Sequence, residues 1–134
     1  MTIELAILAW SCILAIFHIL IAVRFKTRQY GSKWNMGARD EELPPPRPIV
    51  GRLARAQANF FETFPIAAAA ILIVSIASVE DRWTAIGAML WLGARIVYLP
   101  LYAFGVPKLR TLIFLISLVG IAMILRAALA APLA

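Results

Sequence analysis

Four apolar stretches, each long enough to cross a bilayer, make up most of this chain and leave it few folds. They run from about Ile3 to Val23, Ile49 to Ser78, Trp83 to Phe104 and Leu109 to Ala131. At 1.5 Å per residue, about 20 helical residues cover the roughly 30 Å of hydrocarbon in a membrane. With no water there to satisfy peptide groups, such segments must close their hydrogen bonds internally, as helices do. The expected fold is all-α: one domain over residues 1–134, embedded in the membrane as a four-helix bundle.

Composition agrees. Hydrophobic residues make up 63% of the chain and charged ones 15%, whereas soluble domains sit nearer half apolar. The first run begins almost at Met1 with no basic region before it, and no small-residue cleavage site follows. It reads as a retained membrane helix rather than a signal peptide. The net charge of +6 resides in helix flanks and intramembrane positions, not in a soluble basic–aromatic module. Nucleic acid is therefore not an expected partner, and the charge reports orientation instead.

The segment Arg24 to Pro48 is polar and broken, with Pro44 to Pro46 favouring an extended connection. Its basic residues outnumber Asp40, Glu41 and Glu42, which places it on the cytoplasmic side. Tyr30 and Trp34 are expected at the interface. Glu80-Asp81-Arg82 forms an external turn, Lys108 and Arg110 return to the cytoplasmic side, and both termini lie outside. The lone Cys12 cannot form an intrachain disulfide and reads as a small core residue. His18 is expected to bond a neighbouring helix, a site-lining role being the alternative. Glu4 is expected at the interface, and Arg126 is expected to snorkel from the external end of the fourth span.

Against this background the stretch GRLARAQANFFETFP, Gly51 to Pro65, stands out. Arg52, Arg55, Asn59 and Glu62 are spaced three, four and three apart. At about 100° per residue they project within an arc of roughly 80°. Polar groups on one face of a membrane helix are costly unless something engages them. Pro65 lacks the N–H that would bond the carbonyl of Phe61, so a bend is expected just past Glu62. Farther on, Arg95, Tyr98 and Tyr102 share a face of the third span. Pro100 is expected to kink that span, and Gly105 and Pro107 mark its end.

The topology draws Arg52, Arg55, Arg95 and Arg110 toward one half of the membrane, against one firm acid, Glu62. Arginine stays protonated when buried, so the excess charge calls for an anion. Guanidinium groups suit carboxylates, and Glu62 suits an ammonium. A ligand with two carboxylates and one amino group would match, while Tyr98 and Tyr102 add hydroxyls and flat walls. One histidine and one cysteine are too few for a metal site. No Ser-His-Asp arrangement or phosphate loop is present, so any nucleophile must arrive with a cofactor.

The run RLARAQANFFETFP resembles the second-helix signature of the MAPEG family, membrane-associated proteins in eicosanoid and glutathione metabolism. Arg52, Arg55, Ala56, Asn59, Glu62 and Pro65 satisfy that pattern. GARIVYLPLYAFGVPKLRT is similar to the end of the family's third helix and the following loop. The likeness is to a bacterial-type member resembling microsomal glutathione transferases, in a bacterial inner membrane with the site toward the cytoplasm. It implies a homotrimer among membrane lipids, with glutathione as co-substrate between subunits and a small lipophilic substrate entering from the bilayer. By analogy Arg52, Arg55, Asn59, Glu62 and Arg95 hold its charged ends, Tyr98 and Tyr102 its middle, and Arg110 stabilises its thiolate. Thr111 stands where some members have serine, which leaves a hydroxyl role open. The expected function is a transferase or peroxidase acting on lipophilic electrophiles. The alternatives are a glutathione- or lipid-binding protein without catalysis and an exporter of hydrophobic cations, which a cation-rich pocket disfavours.

Overall fold

The computed structural model describes residues 1–133. Its elements are α1 (Ile3–Tyr30), a short α2 (Ser32–Met36), α3 (Pro48–Ile76), α4 (Arg82–Ala103) and α5 (Pro107–Ala130). The four longer helices are long and apolar enough to cross a membrane. The protein is an all-α, multi-pass bundle, as its hydropathy pattern predicts.

Local chemistry sets most of the boundaries. Thr2 caps α1 by accepting from the Leu5 N–H at 3.3 Å. The helix does not stop at Val23, because nothing in RFKTRQY breaks it; it continues until Gly31, whose φ of 96° ends it. The Arg24–Pro48 segment is therefore helical at its start and again in α2, a departure from the broken loop that its polarity suggests. Pro48 opens α3, where a missing N–H does no harm. Pro65 and Pro100 lie inside α3 and α4 without ending either helix. Asp81 opens α4 through a capping box with Thr84. Gly105, at φ 73°, closes α4 in a Schellman turn in which the Val106 N–H bonds Leu101 O and the Gly105 N–H bonds Tyr102 O.

Contacts at the two ends establish an up-down-up-down course. At one end Glu4 of α1 accepts from the Thr84 hydroxyl of α4, while Asp81 pairs with Arg126 of α5. At the other end the Arg52 guanidinium of α3 lies 3.5 Å from Ala103 O at the close of α4. The core between them is layered: Leu53, Ala56 and Leu99 near the loop end, Phe60, Trp91 and Ile121 at mid-depth, then Ile71, Ala88 and Ile124. α4 and α5 touch backbone to backbone. A Cβ on Gly120 would sit 2.5 Å from the Gly87 carbonyl, and one on Gly87 would sit 2.6 Å from the Gly120 carbonyl. Small residues permit such approach in membrane bundles. Ile13, Leu20, Leu112, Leu115 and Val119 face outward, as lipid-facing side chains do.

Several polar positions depart from expectation. The buried stripe of α1 is Glu4, Ser11, Ala15, His18 and Ala22. Cys12 is one residue off that stripe and points outward, not into the core. Glu4 is buried against Thr84 rather than interfacial, since the turn that caps α4 folds over it. His18 is fully buried, but among the described residues neither ring nitrogen has a hydrogen-bond partner, and the ring stacks on Phe60 at 4.7 Å. Its helix meets an aromatic side chain where a polar group was expected. Arg126 does not simply snorkel, because Asp81 is within reach.

Candidate functional site

α3, α4 and α5 enclose a cleft of about 350 Å³ near the loop end of the bundle, within the range typical of small-molecule sites. α3 presents Arg55, Asn59 and Glu62; α4 presents Tyr98 and Tyr102; α5 presents Arg110, Thr111 and Phe114. Six of the eight residues singled out in the sequence thus line one space, and the other two lie elsewhere.

Each wall has a local reason. The three-four spacing on α3 turns Arg55, Asn59 and Glu62 to one side, while Leu53, Ala56 and Phe60 fill the core on the other. α4 repeats this with Tyr98 and Tyr102, whose rings meet edge to face at 5.6 Å. The Schellman turn then reverses the chain quickly enough to bring Arg110 back over Tyr102, its guanidinium carbon 4.5 Å from the ring centroid. Arg55 Nε donates to Tyr102 Oη at 3.2 Å from the opposite element. Tyr102 therefore links both cations of the cleft.

The charge balance of this space is two guanidinium groups and one carboxylate. Among the described residues the one ion pair is Asp81–Arg126, so Arg55, Glu62 and Arg110 make no salt bridge among them. Arg55 and Glu62 are exposed, whereas Asn59 and Arg110 are partly buried. The Asn59 side-chain oxygen is buried and has no partner among the described residues. The cleft thus offers cationic donors, an anionic acceptor and an amide, all facing a common volume.

Arg52 does not face it. Its guanidinium lies against Gly105, where an added Cβ would sit 2.9 Å from Arg52 Cζ, and it points to the Ala103 carbonyl. A cation there faces the negative end of the α4 dipole. Arg95 is fully buried behind the cleft. It makes no bond to Glu62; its three side-chain nitrogens have no hydrogen-bond partner among the described residues. Four rings enclose it, with Tyr98 at 4.5 Å, Phe60 and Trp91 at 5.5 Å and Phe114 at 5.9 Å. Cation–π attraction offsets part of its desolvation. The expected convergence of four arginines is thus a convergence of two, with a third held behind the tyrosine wall and a fourth at a helix end.

Phe114 and Ala58 are cleft residues that sequence reasoning passed over. Ala58 lies about 40° beyond the Glu62 edge of that arc on α3 and carries no polar signal. Phe114 lies four residues after Arg110, one helical turn on, which was the available clue. Thr111 lines the cleft, though its hydroxyl bonds Pro107 O at 3.4 Å. Among the described residues no three metal-ligating side chains come together.

Comparison with known proteins adds one finding. Residues 7–130 match the family model described as MAPEG family. No curated protein matches the chain.

Proposed function

The chain belongs to the MAPEG family, membrane proteins of eicosanoid and glutathione metabolism, and on that premise we propose that it binds glutathione and activates its thiol against lipophilic electrophiles, as a transferase or peroxidase. The observation that carries this is the cleft between α3, α4 and α5. Arg55 and Arg110, unpaired by any carboxylate among the described residues, face it together with Glu62. Glutathione has two carboxylates, one ammonium and a thiol. Arg55 suits a carboxylate, Glu62 the ammonium, and Tyr98 and Tyr102 the peptide between.

Arg110 is the residue for the thiolate. An unperturbed thiol is only a few per cent ionised at neutral pH, and a neighbouring guanidinium favours the charged form. It lies 4.5 Å from the Tyr102 ring centroid and makes no side-chain hydrogen bond or ion pair among the described residues, which leaves its N–H groups for a ligand. Bound glutathione supplies the nucleophile; the chain orients it and shields it from water. Arg55 and Glu62 are exposed in a single chain, which supports a homotrimer in which a neighbouring subunit completes the site. The basic residues flanking the cleft end support an orientation with the site toward the cytoplasm.

The test is protection of the detergent-solubilised protein against heat. Millimolar glutathione raises the melting temperature of the wild type, and Arg55→Ala or Glu62→Gln abolishes the rise. No rise in the wild type would overturn the proposal. Protection without any thiolate signal would reduce it to binding without catalysis.

A further inference from the structure

A second polar pocket lies on another face of α3, at the loop end of the bundle. Lys26 of α1, Trp34 and Asn35 of α2, Arg39 and Gln57 surround a cavity of about 70 Å³. Lys26, Trp34 and Ala54 also belong to a neighbouring space of about 280 Å³. The remaining walls of that space include Tyr30, Leu43, Pro46 and Val50. A small cationic chamber therefore opens beside a larger apolar crevice. On α3, Val50, Ala54 and Gln57 project about 140° away from the Arg55–Glu62 stripe, so this space is separate from the cleft.

Both parts are held in shape. Arg39 has a φ of 63°, uncommon outside glycine. Its guanidinium is fixed by Asn35 O at 3.0 Å and Asn35 Oδ1 at 2.7 Å, and lies 4.8 Å from the Trp34 ring centroid. The proline segment forming the crevice rim is strapped to the end of α1. Gln29 Nε2 donates to Pro45 O at 3.0 Å, Tyr30 Oη donates to Pro44 O at 2.8 Å, and the Arg47 N–H donates to Gln29 Oε1 at 2.8 Å.

The chemistry of the chamber is anionic recognition. Neither Lys26 nor Arg39 makes an ion pair among the described residues, although Asp40, Glu41 and Glu42 follow directly in the chain; these three acids are exposed. Trp34 Nε1 is a buried donor without a partner among the described residues. The chamber sits where the apolar part of α1 gives way to its basic end, the depth of a lipid headgroup. Basic pockets between membrane helices at that depth take anionic headgroups. We propose that this pair of cavities is a binding site for one anionic phospholipid, its phosphodiester between Lys26 and Arg39 and an acyl chain along the Tyr30–Val50 crevice. A zwitterionic lipid would bring its own cation toward two fixed ones and is disfavoured.

Native mass spectrometry of the full chain in neutral detergent, without glutathione, tests this. The probes are phosphatidylglycerol, phosphatidylcholine of matched chains, and inorganic phosphate. The wild type retains phosphatidylglycerol in preference to phosphatidylcholine. Lys26→Gln and Arg39→Gln each weaken retention about fivefold. Lys26→Arg restores it, and Lys33→Gln, an exposed cation outside both cavities, changes it less than twofold. Equal retention of the two lipids by the wild type overturns the proposal and does not depend on any variant folding. An equal loss in Lys33→Gln also overturns it, because the attraction would then be diffuse. Competition by millimolar inorganic phosphate without any contribution from the acyl chain would reassign the chamber to soluble anions and overturn the lipid reading.

Discussion

The guanidinium carbon of Arg95, itself fully buried, lies 4.5 Å from the centroid of the Tyr98 ring, and Tyr98 is one of the residues that line the cleft. A full charge is thus held at the back of the site by aromatic faces alone, with no carboxylate in reach among the described residues. Unpaired buried charge is destabilising, and replacing it by an apolar group of similar length relieves that penalty.

Arg95→Met should therefore leave the ligand-free protein as stable as the wild type, or more stable by about 1–4 kcal/mol. Arg95→Lys keeps the charge but loses the flat delocalised surface that stacks on rings, so it should melt lower than both. Thermal unfolding of the three proteins in one detergent checks the order Met, Arg, Lys. A lysine variant as stable as the wild type would show that the rings do not hold this charge.

Arg110→Ala removes the cation nearer the Tyr102 ring, at 4.5 Å against 5.9 Å for Arg55, and leaves Arg55 and Glu62 in place. Bound glutathione should then titrate with its thiol raised by one to two units, so that thiolate absorbance at neutral pH drops about tenfold or more. Protection against heat should persist. Equal thiolate signals in the two proteins would remove Arg110 as activator.

Gly120→Ala places a methyl group 2.5 Å from the Gly87 carbonyl and 2.8 Å from the Trp91 N–H. Both are backbone atoms that no rotamer change can move. The variant should lose about 1–3 kcal/mol and melt several degrees lower, which a thermal scan would reveal. Gly93→Ala is the control, since an added Cβ there meets nothing within 4 Å.

Asp81 titrates outside the spanning segments. The Thr84 N–H, then the Arg126 side chain, hold its carboxyl below the usual aspartate range. A depressed folded-state pKa stabilises above the ordinary aspartate range, and that contribution is lost as pH falls through the folded value. Asp81→Asn keeps a capping oxygen but no charge. It should melt below the wild type at neutral pH, with the two curves converging in acid. Parallel curves across the whole range would show that the pair contributes nothing.

How much was legible beforehand follows from what periodicity can and cannot encode. Hydropathy alone located the four long helices, and the polar stripe on α3 was plain because Arg55, Asn59 and Glu62 interrupt an otherwise apolar run. Spacing says which residues share a face of one helix. It does not say which neighbour that face meets. Arg52 shares the stripe's arc yet sits at its edge, and the close of α4 draws it toward the Ala103 carbonyl. Arg95 shares a face with Tyr98 and Tyr102, but Phe60 and Phe114 arrive from other helices to wall it in. Glu4 and Cys12 were misplaced for the same reason, being set by how α1 is rotated against α3 and α4. The extension of α1 to Tyr30 is hidden in the sequence because hydropathy falls at Arg24 while helix propensity does not, and only Gly31 breaks the helix.

The contact at Gly87 and Gly120 has a bearing on how the cleft can respond to a visitor. Helices whose main chains abut have no cushion of side chains to deform, so α4 and α5 translate and tilt as one slab. Tyr98, Tyr102, Arg110 and Phe114 ride on that slab with their mutual spacing preserved. Adjustment around a bulky guest must then come from α3, whose Arg55 and Glu62 form the opposing jaw.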